Sequence, residues 1–121
     1  MGSGKKVLIV EDESLTAMAL AAYLRNEGYD VLGLSATGEE AVRKSREDAP
    51  EIIFMDIRLA GEMDGIEAAE IISRERTVSF VFITGHSSQA PLKRVSAGAI
   101  AGYLTKPIDF STIPGILSNI P

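Results

Sequence analysis

The 121-residue chain contains no cysteine, which excludes disulfides, thiolate metal sites and cysteine nucleophiles. It has no long hydrophobic run either. The longest apolar stretches hold only a few residues, far short of a membrane span. No basic-plus-apolar leader with a cleavage site opens the chain, so nothing in it reads as a secretion signal. Positive charge is also scarce, and the formal net charge is −5. Without a basic stripe to displace counterions, this chain is not expected to bind nucleic acid directly. If a larger protein touches DNA, another segment does so. Together these absences point to a cytoplasmic protein that is not attached to a membrane.

What is present suits one globular domain: 45% hydrophobic and 24% charged residues over a length able to bury a core. Residues 1–5 read as a start residue with an expression remnant and are expected to be disordered, leaving 6–121 as the domain. Short β-rich runs occur at Val7–Val10, Val31–Leu34, Ile52–Met55, Phe80–Ile83 and Gly102–Leu104. Between them lie stretches with helical spacing. Leu15, Met18, Ala19 and Ala22 recur at the helical interval and predict one buried face. Thr37-Gly38-Glu39-Glu40 reads as a capping box. Asp64 caps a further helix, whose buried side would use Ile66, Ala69 and Ile72 or their neighbours. A short helix is expected over about Gln89–Ser96. A last one, over about Ser111–Asn119, is weakened by Pro114 and Gly115.

Strands that are apolar on both faces and separated by helices indicate a parallel sheet covered on both sides. Five βα units with right-handed crossovers give a doubly wound (βα)5 domain of the α/β class. The acids are distributed unevenly with respect to these strands. Glu11 and Asp12 directly follow the first strand, and Asp56 directly follows the third. Ligands of open α/β sheets sit beyond the carboxyl ends of the strands, where the strand order reverses. If the order is 2-1-3-4-5, three carboxylates converge there.

Converging carboxylates repel one another unless a cation sits among them. Mg²⁺ suits such a site because it uses few carboxylates and bridges to phosphate, and Mn²⁺ is an admissible substitute. Solvated loop charges remain an ordinary explanation for Glu11 and Asp12 alone, since helix starts attract acids. Thr84 after the fourth strand and Lys106 after the fifth change that balance. A hydroxyl and an ammonium facing a metal-bound carboxylate make a phosphoryl site. Asp56 is then a nucleophile that becomes an aspartyl phosphate.

At this point the chain resembles a known family, the receiver domains of two-component response regulators. The resemblance runs through Val10-Glu11-Asp12-Glu13, Asp56, Asp64-Gly65, Thr84, Gly98-Ala99 and Gly102-Tyr103-Leu104-Thr105-Lys106-Pro107. It implies the flavodoxin-like strand order 2-1-3-4-5. It also implies that Glu11, Asp12, Asp56 and the backbone carbonyl of Arg58 hold Mg²⁺. Asp56 would accept the phosphoryl group, with Thr84 and Lys106 binding it. The Lys106–Pro107 bond would be cis, and Tyr103 would be the switch aromatic that turns inward with Thr84. The partners implied are a histidine kinase or histidine phosphotransfer protein and an unspecified output partner. The domain would be a monomer or a weak, phosphorylation-dependent dimer. It would be a switch rather than a turnover enzyme.

Two departures stand out. The segment Ile57–Met63 is one residue longer than the usual family spacing, and Ala60 stands where proline is common, so this loop is expected to be differently shaped and more mobile. Gly85 and His86 follow Thr84 where alanine is more usual at the first position. Arg58 and His86 near the mouth of the site are candidates for tuning access of water, although a solvated loop position explains His86 equally well.

Other readings fit less well. An aspartyl phosphatase would need an acid two residues after the nucleophile, where Arg58 stands. A flavin protein would need a phosphate cradle where Glu11-Asp12 stands. A phosphate sink, or a degenerate receiver acting as a phosphorylation-independent interaction module, is the alternative within the family.

Overall fold

The computed structural model describes residues 4–85 and 95–120. Five strands, β1 (Lys6–Val10), β2 (Asp30–Ser35), β3 (Ile52–Asp56), β4 (Ser79–Thr84) and β5 (Ile100–Thr105), form one sheet in the order β2-β1-β3-β4-β5. All neighbouring pairs are parallel. The helices are α1 (Ser14–Asn26), α2 (Gly38–Asp48), α3 (Gly65–Glu75) and a short α4 (Ile113–Leu117). This is the expected doubly wound α/β fold. Most of the helix expected over Gln89–Ser96, and His86, lie outside the described residues. Among the described residues no helix is long and apolar enough to cross a membrane.

Strand side chains alternate between the faces with a period of two, so the central strands feed two separate cores. On one face Leu8, Val10, Ile53, Met55, Phe80 and Phe82 are buried with Ala41, Ile66, Ala69 and Ile72 of α2 and α3. On the other, Val7, Ile9, Ile52, Phe54, Val81 and Ile83 are buried with Leu20, Leu24 and Ile113 of α1 and α4. Each fully buried large side chain contributes about 1.5–3 kcal/mol of transfer free energy, which fixes the strand register on both faces.

The buried face of α1 is not the expected one. Ala17, Leu20, Ala21 and Leu24 are buried, whereas Leu15 is 81% and Met18 59% exposed. Ala19 and Ala22 are exposed as well. The two stripes have the same helical spacing but are offset by two residues, about 200° of rotation, so periodicity does not choose between them. Packing on Ile9, Phe54 and Ile83 does.

Capping residues set the starts of α2 and α3. Thr37 Oγ1 accepts a hydrogen bond from the Glu40 N–H at 3.1 Å, and Glu40 Oε1 accepts from the N–H of Ala36, one residue before the cap. At α3 the box is fully reciprocal, joining Asp64 and Glu67 at 2.8 and 3.0 Å. The last helix is shorter than expected. A 3₁₀ turn (Phe110–Thr112) precedes α4, and Pro114 falls in the first turn of α4, where its missing N–H costs least. Gly102 lets α4 approach β5, because a Cβ there would lie 2.8 Å from Ile116 Cγ2.

Gly4, Lys5 and the lengthened loop are each tied to neighbouring elements, while residues 1–3 lie outside the described residues. The Gly4 N–H donates to the Gly28 carbonyl at 3.0 Å and the Lys5 carbonyl accepts from the Asp30 N–H at 2.9 Å, so these residues extend the β1–β2 pairing. The lengthened loop after Asp56 is stitched down rather than free. Ala60 forms a parallel bridge with Thr37, and Leu59 and Met63 pack against the core.

Candidate functional site

β1 and β3 are neighbours, so their carboxyl ends bring acids together. Glu11 leaves β1 and Asp56 ends β3; each residue is only 3% exposed. Asp12 beside them is exposed. One ligand oxygen from each of these three residues lies within 4.8 Å of the others. Thr84 is the buried last residue of β4. Its carbonyl accepts the Lys106 N–H at 2.9 Å, which fixes where the lysine leaves β5. The following Lys106–Pro107 bond is cis.

The Lys106 ammonium donates to Asp56 Oδ2 at 3.0 Å and to Glu11 Oε2 at 3.2 Å. Glu11 Oε1 lies 3.1 Å from the ammonium as an ion-pair contact, and this buried oxygen accepts no hydrogen bond. The remaining lone pairs are partly held by the backbone. The Arg58 N–H donates to Asp56 Oδ1 at 3.0 Å, and the Glu13 N–H donates to Glu11 Oε2 at 3.0 Å.

Burial pushes the Glu11 carboxyl up to about 7. The hydrogen bond and charge of Asp56 push the same way, while the Glu13 N–H and Lys106 act against them. For Lys106, burial acts to lower the pKa, but the hydrogen bonds and charges of Asp56 and Glu11 outweigh it and raise it, so the ammonium stays charged. Three acidic side chains thus cluster where one ammonium pairs with two of them, Glu11 and Asp56. The clustered oxygens and the orphaned Glu11 Oε1 fit a hard divalent cation.

The site opens into a cleft of about 470 Å³ lined by Asp12, Glu13, Asp56, Arg58, Gly85 and Lys106. The structure therefore gathers Glu11, Asp12, Asp56 and Lys106 in one pocket with the exposed Arg58 at its mouth, while Thr84 ends the adjacent strand β4. Tyr103 does not reach this pocket. Its half-buried ring stacks on Phe82, with centroids 6.3 Å apart.

Two features escaped the sequence reading. Glu13 places Oε1 3.9 Å from the Lys106 ammonium and accepts a 2.8 Å hydrogen bond from the Thr16 hydroxyl. Its position directly after two acids was the only available signal. The second is a groove of about 540 Å³ beside the site, lined by Leu15, Thr16, Ala19, Pro107, Ile108 and Phe110 together with Glu13 and Lys106. It could not be foreseen while the Leu15 stripe was assigned to the core.

Comparison with known proteins agrees with this geometry. The family model described as response regulator receiver domain matches residues 7–118. The transcriptional regulatory protein PdtaR of Mycobacterium tuberculosis is 40% identical over 93% of this chain; the match covers 55% of PdtaR, so the chain spans about half the length of that relative. The chemotaxis protein CheY of Thermotoga maritima is 34% identical, covering 97% of this chain and 98% of its own. Among solved structures, the receiver domain of a modulated diguanylate cyclase from Desulfovibrio desulfuricans superposes with a TM-score of 0.85 at 36% identity, over 97% of this chain and 93% of that one. The receiver domain of the sensor histidine kinase PA1611 from Pseudomonas aeruginosa, which holds a magnesium ion in its active-site cleft, gives 0.80 at 28% identity over 97% of each chain. The acid pocket at the carboxyl edge of a β2-β1-β3-β4-β5 sheet is therefore no isolated likeness: the chain belongs to the response regulator receiver domains of two-component signalling.

Proposed function

We propose that this domain is a phosphorylation switch in which Asp56 accepts a phosphoryl group from a histidine kinase or a histidine phosphotransfer protein. The observation that carries the reading is the Lys106 ammonium held between Asp56 and Glu11, whose oxygens cluster with one of Asp12. Receiver domains bind Mg²⁺ in their acidic pocket, and here Glu11, Asp12, Asp56 and the Arg58 carbonyl would be its ligands. When bound, the cation supplies positive charge that neutralises the phosphoryl oxygens.

One oxygen of Asp56 attacks phosphorus in line. An O–P bond forms as the P–N bond to the donor histidine breaks, and the imidazole nitrogen keeps the electron pair. Lys106 stabilises charge on the phosphoryl oxygens from its place beside Asp56. Thr84 donates its hydroxyl to the transferred group, and Tyr103 follows Thr84 inward. Arg58 and His86 tune the access of water and hence the lifetime of the phosphoaspartate. The product is a population shift rather than repeated turnover on an external substrate.

The donor docks on the exposed stripe of α1 and the adjoining Pro107–Ile108–Phe110 edge. This apolar groove is continuous with the site through Glu13 and Lys106, so an occupant there sits beside Asp56. The test of the phosphoacceptor is direct. Incubation with Mg²⁺ and an acyl phosphate should add the mass of one phosphoryl group, and Asp56→Asn should abolish the gain. No gain in the wild type, or an unchanged gain in the variant, overturns the assignment.

A further inference from the structure

A phosphoacceptor is useful only if something beyond it responds, and the lengthened loop offers a route toward α2. We propose that the β3–α3 loop is a strap that transmits the ligation state of Asp56 to the first turn of α2. The inference rests on the phosphoacceptor reading above and adds to it a responding element.

The strap is tied at its root, at its far end and along its middle. At the root, the Arg58 N–H donates to Asp56 Oδ1 at 3.0 Å, so a change in charge on that oxygen is felt by the Arg58 backbone. At the far end, the Gly65 N–H donates to the Ile57 carbonyl at 2.9 Å. Gly65 also lies so close to the end of β3 that a Cβ would overlap the Asp56 carbonyl oxygen. That end cannot absorb movement. In the middle, Ala60 forms a parallel bridge with Thr37. Met63 rests on Gly38, where a Cβ would come within 2.9 Å of both Met63 Cγ and the Met63 carbonyl oxygen. Gly61 turns the chain between these ties in the left-handed region, at φ +93°.

Thr37 is more than an anchor. It is the N-cap of α2, and its hydroxyl oxygen accepts the Glu40 N–H at 3.1 Å. A strap clamped at Gly65 and pulled or released at Arg58 passes motion through Ala60 and Met63 to Thr37 and Gly38. A displaced Thr37 leaves first-turn N–H groups of α2 without their acceptor, which opens them to solvent exchange. The packed strap and its cap are the two-state element that such coupling requires.

Amide hydrogen exchange of the whole chain, with and without Mg²⁺ and beryllium fluoride as a phosphoryl mimic, tests the proposal. In the wild type, exchange should change at residues 57–60 and also at 38–42, the latter by about fivefold or more. Ala60→Pro fixes the backbone dihedral at the residue that bridges Thr37 and so perturbs that tie. Gly38→Ala pushes on Met63 while improving helix propensity, so it serves if the proline variant folds poorly. In either variant the response at 57–60 should persist and that at 38–42 should fall away. A wild type that responds at 57–60 but not at 38–42, or variants that respond like the wild type, overturns the strap alone. No response at 57–60, with Asp56→Asn behaving as the wild type, sinks the phosphoacceptor reading as well.

Discussion

The two faces of the sheet are covered by unequal means. On one, α2 and α3 each start on a side-chain cap, and Arg46 and Glu75 join them through a bidentate ion pair with a shortest distance of 2.6 Å. On the other, α1 starts at Glu13 with no side-chain cap, and its partner α4 has only five residues. The first face is built to hold its shape. The second leaves Leu15 and Met18 uncovered, Leu15 in the groove that Lys106 also lines.

The largest expected effect compares like truncations in the two cores. Ile72 on α3 and Ile113 on α4 are both fully buried. Ile72→Ala should cost about 3–5 kcal/mol, because the capped, cross-linked helices cannot close over the cavity. Ile113→Ala should fall near the lower limit of about 2 kcal/mol, since a one-turn helix on a glycine-lined approach can settle inward. Urea unfolding of both variants measures the difference. Equal losses would erase the contrast between the faces.

Helix starts give a smaller and cleaner contrast. Asp64→Ala removes the side-chain half of the reciprocal box at α3, leaving the residue-64 N–H on Glu67, and should cost about 1 kcal/mol. Glu13→Ala at the start of α1 removes no cap and should change stability by less than about 0.5 kcal/mol. Thermal unfolding without divalent cation separates these effects from any on metal binding. A loss at Glu13 equal to that at Asp64 would mean that its contacts to Thr16 and Lys106 anchor α1 as firmly as a cap does.

The same contrast explains what the sequence disclosed. The three central strands β1, β3 and β4 were legible because a strand buried on both faces is an apolar run. The residues that end or follow strands (Glu11, Asp56, Thr84 and Lys106) are then placed by topology at one edge. Caps at Thr37 and Asp64 were legible because a cap is a local event between neighbours. The phase of α1 was not, since Leu15-Met18-Ala22 and Ala17-Leu20-Leu24 carry the same period and only the sheet decides between them. The stitched loop was hidden for a related reason. The tie between Ala60 and Thr37 joins residues far apart in the chain, and neither residue type announces it. Glu13 was overlooked beside two stronger acids, although its carboxylate faces the same lysine.

The smallest expected change in stability carries the sharpest functional contrast. Leu15→Ala with Met18→Ala alters side chains that are mostly in water, on a helix whose propensity alanine preserves. Unfolding free energy should move by no more than about 0.5 kcal/mol. Phosphorylation by an acyl phosphate should also be unchanged, because a small donor reaches Asp56 through the open cleft without touching α1. Transfer from a phosphorylated histidine kinase should slow roughly tenfold, the effect of losing about 1.4 kcal/mol of docking contact. The informative quantity is the ratio of the two rates. Equal slowing with both donors would place the defect in the pocket, and no slowing with either would free the α1 face of any part in docking. Slowing with the kinase alone would assign the uncapped face to partner exchange and leave α2 and α3 to hold the acids in register.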